Sequence, residues 1–120
     1  MSDAYPQVEV ESRDELRRWL EQHQETSPGI WLVTYKKGDP RYLPYEHVVE
    51  EALCFGWIDS KARRVDDRRT SIVLTPRKAR SNWSAPNRER VERLLAADRI
   101  APAGLAAIER AKLDGTWDAA

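Results

Sequence analysis

The chain has 120 residues, 41% of them hydrophobic and 33% charged, with 20 basic side chains balanced by 20 acidic ones. That length and apolar content suit one domain whose core needs no staples, and they exclude a globally disordered chain. The single cysteine excludes an internal disulfide, no cysteine–histidine spacing suits zinc, and no apolar run reaches transmembrane length.

The start, MSDAYPQVEV, has neither a basic nor an apolar leader region, so the expected setting is soluble and cytoplasmic. Charge is unevenly spread. Residues 1–60 carry six Lys/Arg against twelve Asp/Glu, residues 61–93 carry eleven against four, and residues 94–120 carry three against four. The basic middle can steer an acidic partner, or it can be neutralised internally by the acidic first half.

Residues 1–6 read as a loose tail and residues 7–10 as a short edge strand. Ser12 and Glu15 have capping-box spacing, with Glu15 reaching back. Leu16, Trp19, Leu20 and His23 follow at helical spacing, and Ser27-Pro28-Gly29 ends the helix. Residues 30–36 (IWLVTYK) form a continuous β-prone run, which predicts a central strand covered on both faces. A turn over residues 36–40 follows.

Residues 45–55 read as a helix with Glu46, Glu50 and Glu51 on its solvent side, stopped by Gly56. Residues 57–65 alternate as a strand. Trp57, Asp59, Lys61, Arg63 and Val65 are expected on one face, and Ile58, Ser60, Ala62 and Arg64 on the other. Asp66-Asp67 makes the hairpin turn, and residues 69–75 return until Pro76. A basic loop over residues 77–83 leads to Ser84, an N-cap with Pro86 in the first turn that follows. Val91, Leu94 and Leu95 are the expected buried stripe of that helix. Residues 103–113 form the last helix with Leu105 and Ile108 inward, Asp114-Gly115 closes it, and Trp117 folds back. The order β-α-β-α-β-β-α-α predicts an α+β domain: a small mixed sheet of about four strands, with helices packed on it and a helical hairpin at the end.

Several stretches carry a resemblance. They are EALCFGWIDSKARRVDD (residues 51–67), Thr75-Pro76-Arg77, Arg80-Ser81-Asn82-Trp83-Ser84 and Asn87-Arg88-Glu89-Arg90-Val91. With Trp31-Leu32, Lys36-Lys37-Gly38, Pro102-Ala103-Gly104-Leu105, Ala107-Ile108-Glu109, Ala111-Lys112, Gly115 and Trp117, they resemble the YdeI/OmpD-associated family, also called bacteriocin-protection or OmdA-like. The resemblance spans residues 8–118. It implies a small bacterial protein linked to protection against bacteriocins or cationic antimicrobial peptides and to an outer-membrane porin. It implies no reaction and no catalytic residues.

The candidate binding residues are Lys36, Trp57, Asp59, Lys61, Arg77, Arg80, Ser81, Trp83 and Asn87. Lys36, Lys37, Lys61, Arg63, Arg77, Lys78 and Arg80 converge if the strand ends and the basic loop share one edge. The arginine fork suits phosphate or carboxylate. The helix after Ser84 would add free N–H groups and its positive dipole end. Trp57 and Asp59, on one strand face, could wall and orient a polar ligand. Trp83 and Arg80 could stack on a ring or base. Much of this polarity has a structural reading too: a core Trp57, a paired Asp59, and capping by Ser84, with Asn87 reaching back to the loop. Cys54 lies in an apolar helix end and His47 is too far along the helix to activate it.

The primary expectation is a binding module for an anionic small molecule or acidic protein surface, with no cofactor and no metal. The alternatives are an enzyme with a small polar pocket, Asp59 serving as acid/base beside Arg77 or Arg80, and a nucleic-acid-binding accessory domain. Zero net charge and a short basic run argue against the last.

Overall fold

The computed structural model describes residues 5–118. The expected order is present: β1 (Gln7–Glu9), α1 (Arg13–His23), β2 (Ile30–Tyr35), α2 (Tyr45–Cys54), β3 (Trp57–Arg64), β4 (Arg69–Pro76), α3 (Ala85–Ala96) and α4 (Pro102–Asp114). The strands form one mixed sheet in the order β1-β2-β4-β3, with β1 parallel to β2 and the other pairs antiparallel. All six residues of β2 are buried, as its continuous apolar run requires. The expected loose tail is partly tied down: the Pro6 carbonyl accepts from the Trp31 N–H at 2.8 Å. The rest of that expectation, residues 1–4, lies outside the described residues.

Ser12 caps α1 by accepting from the Glu15 N–H at 3.1 Å, and the Glu15 carboxylate reaches back to the Glu11 N–H at 2.7 Å. The hairpin turn lacks glycine, and Asp66 does the work instead. Its Oδ1 accepts from the backbone N–H of Arg68 and Arg69, and its Oδ2 from the Arg69 side chain.

One sheet face meets the helices. Val10, Ile30, Leu32, Leu74 and Trp57 join Leu16, Leu20, the apolar residues of α2, Val91, Leu94, Ile108 and Ala111 in one core. The opposite face carries Trp31, Val33, Tyr35 and Val73, and arginines lie across its aromatic rings. The guanidinium carbon of Arg63 is 4.3 Å from the Trp31 ring centre, and that of Arg41 is 3.8 Å from Tyr35.

Three expectations are corrected. The strict alternation of β3 fails because a bulge between Asp59 and Ala62 breaks the register with β4. Asp59 opposes Leu74, and beyond the bulge Ala62 opposes Ile72 and Arg63 opposes Ser71, so Ala62 joins the helix-side face and Arg63 leaves it. Leu95 and Leu105 are exposed, at 39% and 42%. The buried face of α4 is Gly104, Ile108 and Ala111, small enough for this helix to lie close against α2. Finally, Glu50 and Glu51 do not face solvent: Glu51 is 0% exposed. Its Oε2 accepts from Arg13 Nε at 2.6 Å and from Arg99, and its Oε1 from Arg17 at 3.1 Å. Glu50 pairs with Arg13 and Arg93, and Glu46 with Arg90 and Arg93. The acidic α2 is thus neutralised by basic residues of α1, of α3 and of the link after it.

Candidate functional site

The basic loop after β4 forms the site. Arg77 leaves the strand with its N–H bonded to the Gly56 carbonyl at 3.0 Å, which ties the loop to the end of α2. Its guanidinium carbon lies 3.9 Å from the centre of the Trp83 ring. One arm, Nη2, donates to the Asn82 carbonyl at 2.8 Å. Nε and Nη1 are buried and have no acceptor. Burial, with no carboxylate to offset it, pushes the Arg77 pKa down. The group nonetheless stays a cation at neutral pH, so two donors of a half-buried cation have no counter-ion.

Several other arginines at least partly buried have carboxylate partners. Arg13, Arg17 and Arg99 share Glu51, Arg69 meets Glu9 and Asp66, and Arg90 meets Glu46. Arg88 donates to the carbonyls of Trp83 and Trp117.

Arg77 opens onto a cleft of about 30 Å³, lined also by Lys78, Arg80, Ser81, Trp83 and, from α4, Ala107, Arg110 and Asp114. Four cations and one carboxylate thus border a space the size of a single water or oxyanion oxygen. That carboxylate does not serve Arg77. Asp114 Oδ1 accepts from the Thr116 N–H at 3.0 Å and hydroxyl at 2.7 Å, and these bonds, with Arg80 and Arg110 nearby, lower its pKa.

The loop is shaped by a turn in which the Ser81 N–H reaches the Lys78 carbonyl at 3.2 Å, with Arg80 at φ 69°. A non-glycine residue there costs about 1 kcal/mol. Trp83 is buried against Trp117, ring centres 5.1 Å apart, so the platform under Arg77 is fixed by the chain's closing segment.

Of the predicted site residues, Arg77, Arg80, Ser81 and Trp83 come together here. The others do not. Lys36 follows the end of β2, its N–H bonded to the Arg68 carbonyl just before β4 starts, whereas Arg77 follows the end of β4. Eight residues at about 3.3 Å each put the two basic groups roughly 25 Å apart. The expected single basic edge is therefore divided between opposite ends of the sheet, because β2 and β4 run antiparallel. Trp57 is a core residue, 1% exposed and edge-on to Trp19. Asp59 accepts from the Tyr45 hydroxyl at 2.7 Å, and burial together with this bond pushes the Tyr45 phenol up to about 12. Neither Trp57 nor Asp59 lines the Arg77 cleft, so the acid/base pairing of Asp59 with Arg77 has no geometry to support it. Lys61 sits exposed in the β3 bulge. Asn87 donates its backbone N–H to the Ser84 Oγ, and its Oδ1 accepts from Arg90 Nη1, rather than reaching back to the loop. The start of α3 does not border the cleft, so its dipole end is not part of the site.

Sequence reading missed Arg110, Asp114 and Thr116, which come from the chain's end. The only signal for them was Trp117 folding back. Cys54 is fully buried, and burial raises its thiol pKa. His23 stacks on Trp19, with Nδ1 2.9 Å from the Trp19 carbonyl. Among the described residues, no cluster of three or more His, Cys, Asp or Glu side chains is placed to hold a metal, and no helix is long and apolar enough to cross a membrane.

Residues 8–107 match a family described as a domain of unknown function, DUF8412, and the chain belongs to that family. No curated protein and no solved structure matches it.

Proposed function

We propose that this domain is a binding module, rather than an enzyme, that recognises an anionic group at the Arg77 cleft. The observation that carries the reading is the half-buried Arg77 guanidinium, whose buried Nε and Nη1 lack protein acceptors while cations surround it. A buried donor left without an acceptor costs about 1–3 kcal/mol, and an incoming carboxylate or phosphoryl oxygen recovers much of that by accepting from these two. The size of the cleft limits what enters it to an oxygen or two of the ligand, with the remainder outside among Lys78, Arg80 and Arg110.

The resemblance to the bacteriocin-protection family supports a role in bacterial stress resistance, exercised in the cytoplasm on an anionic small molecule or an acidic protein surface. Division of the basic residues between two sheet ends speaks against a continuous nucleic-acid track. Titration of the isotope-labelled protein with inorganic phosphate at constant ionic strength tests the reading. The Arg77 Nε–H signal and the Arg80–Trp83 amides should shift saturably. Uniform small shifts over all surface lysines and arginines would refute it.

A further inference from the structure

At the opposite end of the sheet lies a second cavity, of about 360 Å³, which neither the resemblance nor the Arg77 reading addresses. Its origin is the β3 bulge. By reversing the side-chain phase, the bulge turns Ala62 toward the helix-side face, opposite Ile72 and one step along the sheet from the Thr70–Thr34 pair. Small side chains there leave space that α2, beginning only at Tyr45, does not fill. Leu43, Val48 and Ile72 supply an apolar lining.

Two aromatic residues border the cavity while well exposed, Tyr42 at 42% and Tyr45 at 55%. Tyr45 is held in place by its hydroxyl bond to Asp59. Tyr42 is held by a bridge to Tyr35 that takes the place beside β2 where β1 has ended. The Tyr45 ring is thus anchored at its hydroxyl, and the backbone that carries Tyr42 is anchored to the sheet. Lys36 and Lys37 also border the cavity, and among the described residues neither enters an ion pair. No Asp or Glu lines it. The carboxylates bonded to its lining residues are already committed, Asp59 to the Tyr45 hydroxyl and Glu9 to the Tyr35 hydroxyl and to Arg69, and Asp39 in the adjoining loop pairs with Arg41 and Arg68.

We infer that this cavity is a binding site for a small apolar carboxylic acid, its hydrocarbon or aromatic body between Tyr42, Tyr45 and Val48 and its carboxylate toward Lys36 and Lys37. The volume lies within the range of small-molecule pockets, about 300–1,000 Å³, and the mainly apolar lining with few polar groups is typical of them. Charge complementarity selects the acid over a neutral or cationic analogue. Lysine ammonium groups supply a point charge without the planar fork that favours phosphate.

The test uses phenylacetate, with neutral phenylacetamide as control, titrated into the full-length protein by NMR. Phenylacetate should saturate and give ligand–protein NOEs to the Leu43, Val48 and Ile72 methyl groups. The amide should bind about tenfold more weakly, the equivalent of ~1.4 kcal/mol. Ala62→Leu should abolish binding, and Arg77→Gln should leave it unchanged, which separates this site from the cleft at the other end. Absence of saturable binding, NOEs to other methyl groups, or equal binding of acid and amide would overturn the inference. The wild-type NOE pattern decides the matter even if Ala62→Leu does not fold.

Discussion

Arg13 Nε donates to Oε2 of Glu51 at 2.6 Å across 38 residues of chain, and that carboxylate is 0% exposed. Arg17 and Arg99 complete its shell, so Glu51 fastens α1 and the link after α3 to α2. Removing one partner of a buried ionic group leaves the rest uncompensated, at a cost of about 3–5 kcal/mol. Glu51→Gln should therefore lower the urea midpoint severely. Glu46→Gln, at a site 43% exposed, should cost under about 1 kcal/mol. Equal effects in the two variants would show that the buried network does not organise the helices.

The same carboxylates set the acid limit of stability. The arginine bonds hold Glu51 below its ordinary 4.5 against the opposing effect of burial, and Glu9 and Glu46 are lowered as well. Asp66 falls from 3.8 to about 2, chiefly through its bond to Arg69. Groups with depressed folded-state values bind protons more tightly when unfolded. Their stabilisation is complete above the unfolded values and is lost as pH falls through the folded ones. Urea midpoints should stay level down to about pH 5 and then decline toward about pH 2. In Glu51→Gln the decline should be shallower.

Gly104 approaches α2 so closely that a methyl group in its place would lie 2.3 Å from the Cys54 carbonyl oxygen. The neighbouring Ala101 N–H donates to that same oxygen at 2.9 Å. In an open helix, Gly→Ala is worth about 1 kcal/mol of stabilisation. Here the obstacle is backbone, so Gly104→Ala should instead destabilise by about 1–3 kcal/mol, as overpacking does. Thermal unfolding checks the sign directly.

The element order was legible because each segment carried its own period and punctuation: the Ser12 and Ser84 caps, Gly56, Pro76 and the unbroken Ile30–Tyr35 run. What escaped were features fixed by partners far along the chain. Nothing between Trp57 and Arg64 marks a bulge, so the faces of Ala62 and Arg63 were reversed. Glu51 has the sequence context of a solvent-side residue, and only the arrival of three arginines makes its burial tolerable. Arg77, Arg80, Ser81 and Trp83 were recoverable because they are adjacent in sequence. Arg110 and Asp114 were not, since a helix some thirty residues later brings them in. Grouping Lys36 and Lys61 with Arg77 supposes that the strand ends and the basic loop share one edge, and neither charge nor spacing reveals the strand order and direction that decide it.

The central claim is that the acceptor-free donors of Arg77 receive an anion, and calorimetric titration with inorganic phosphate against wild type and Arg77→Gln tests it most directly. The wild type should show saturable binding that sodium chloride at matched ionic strength does not reproduce, and a folded Arg77→Gln variant should lose it. Phosphate binding of equal strength in both proteins, or no saturable heat in the wild type, would contradict it.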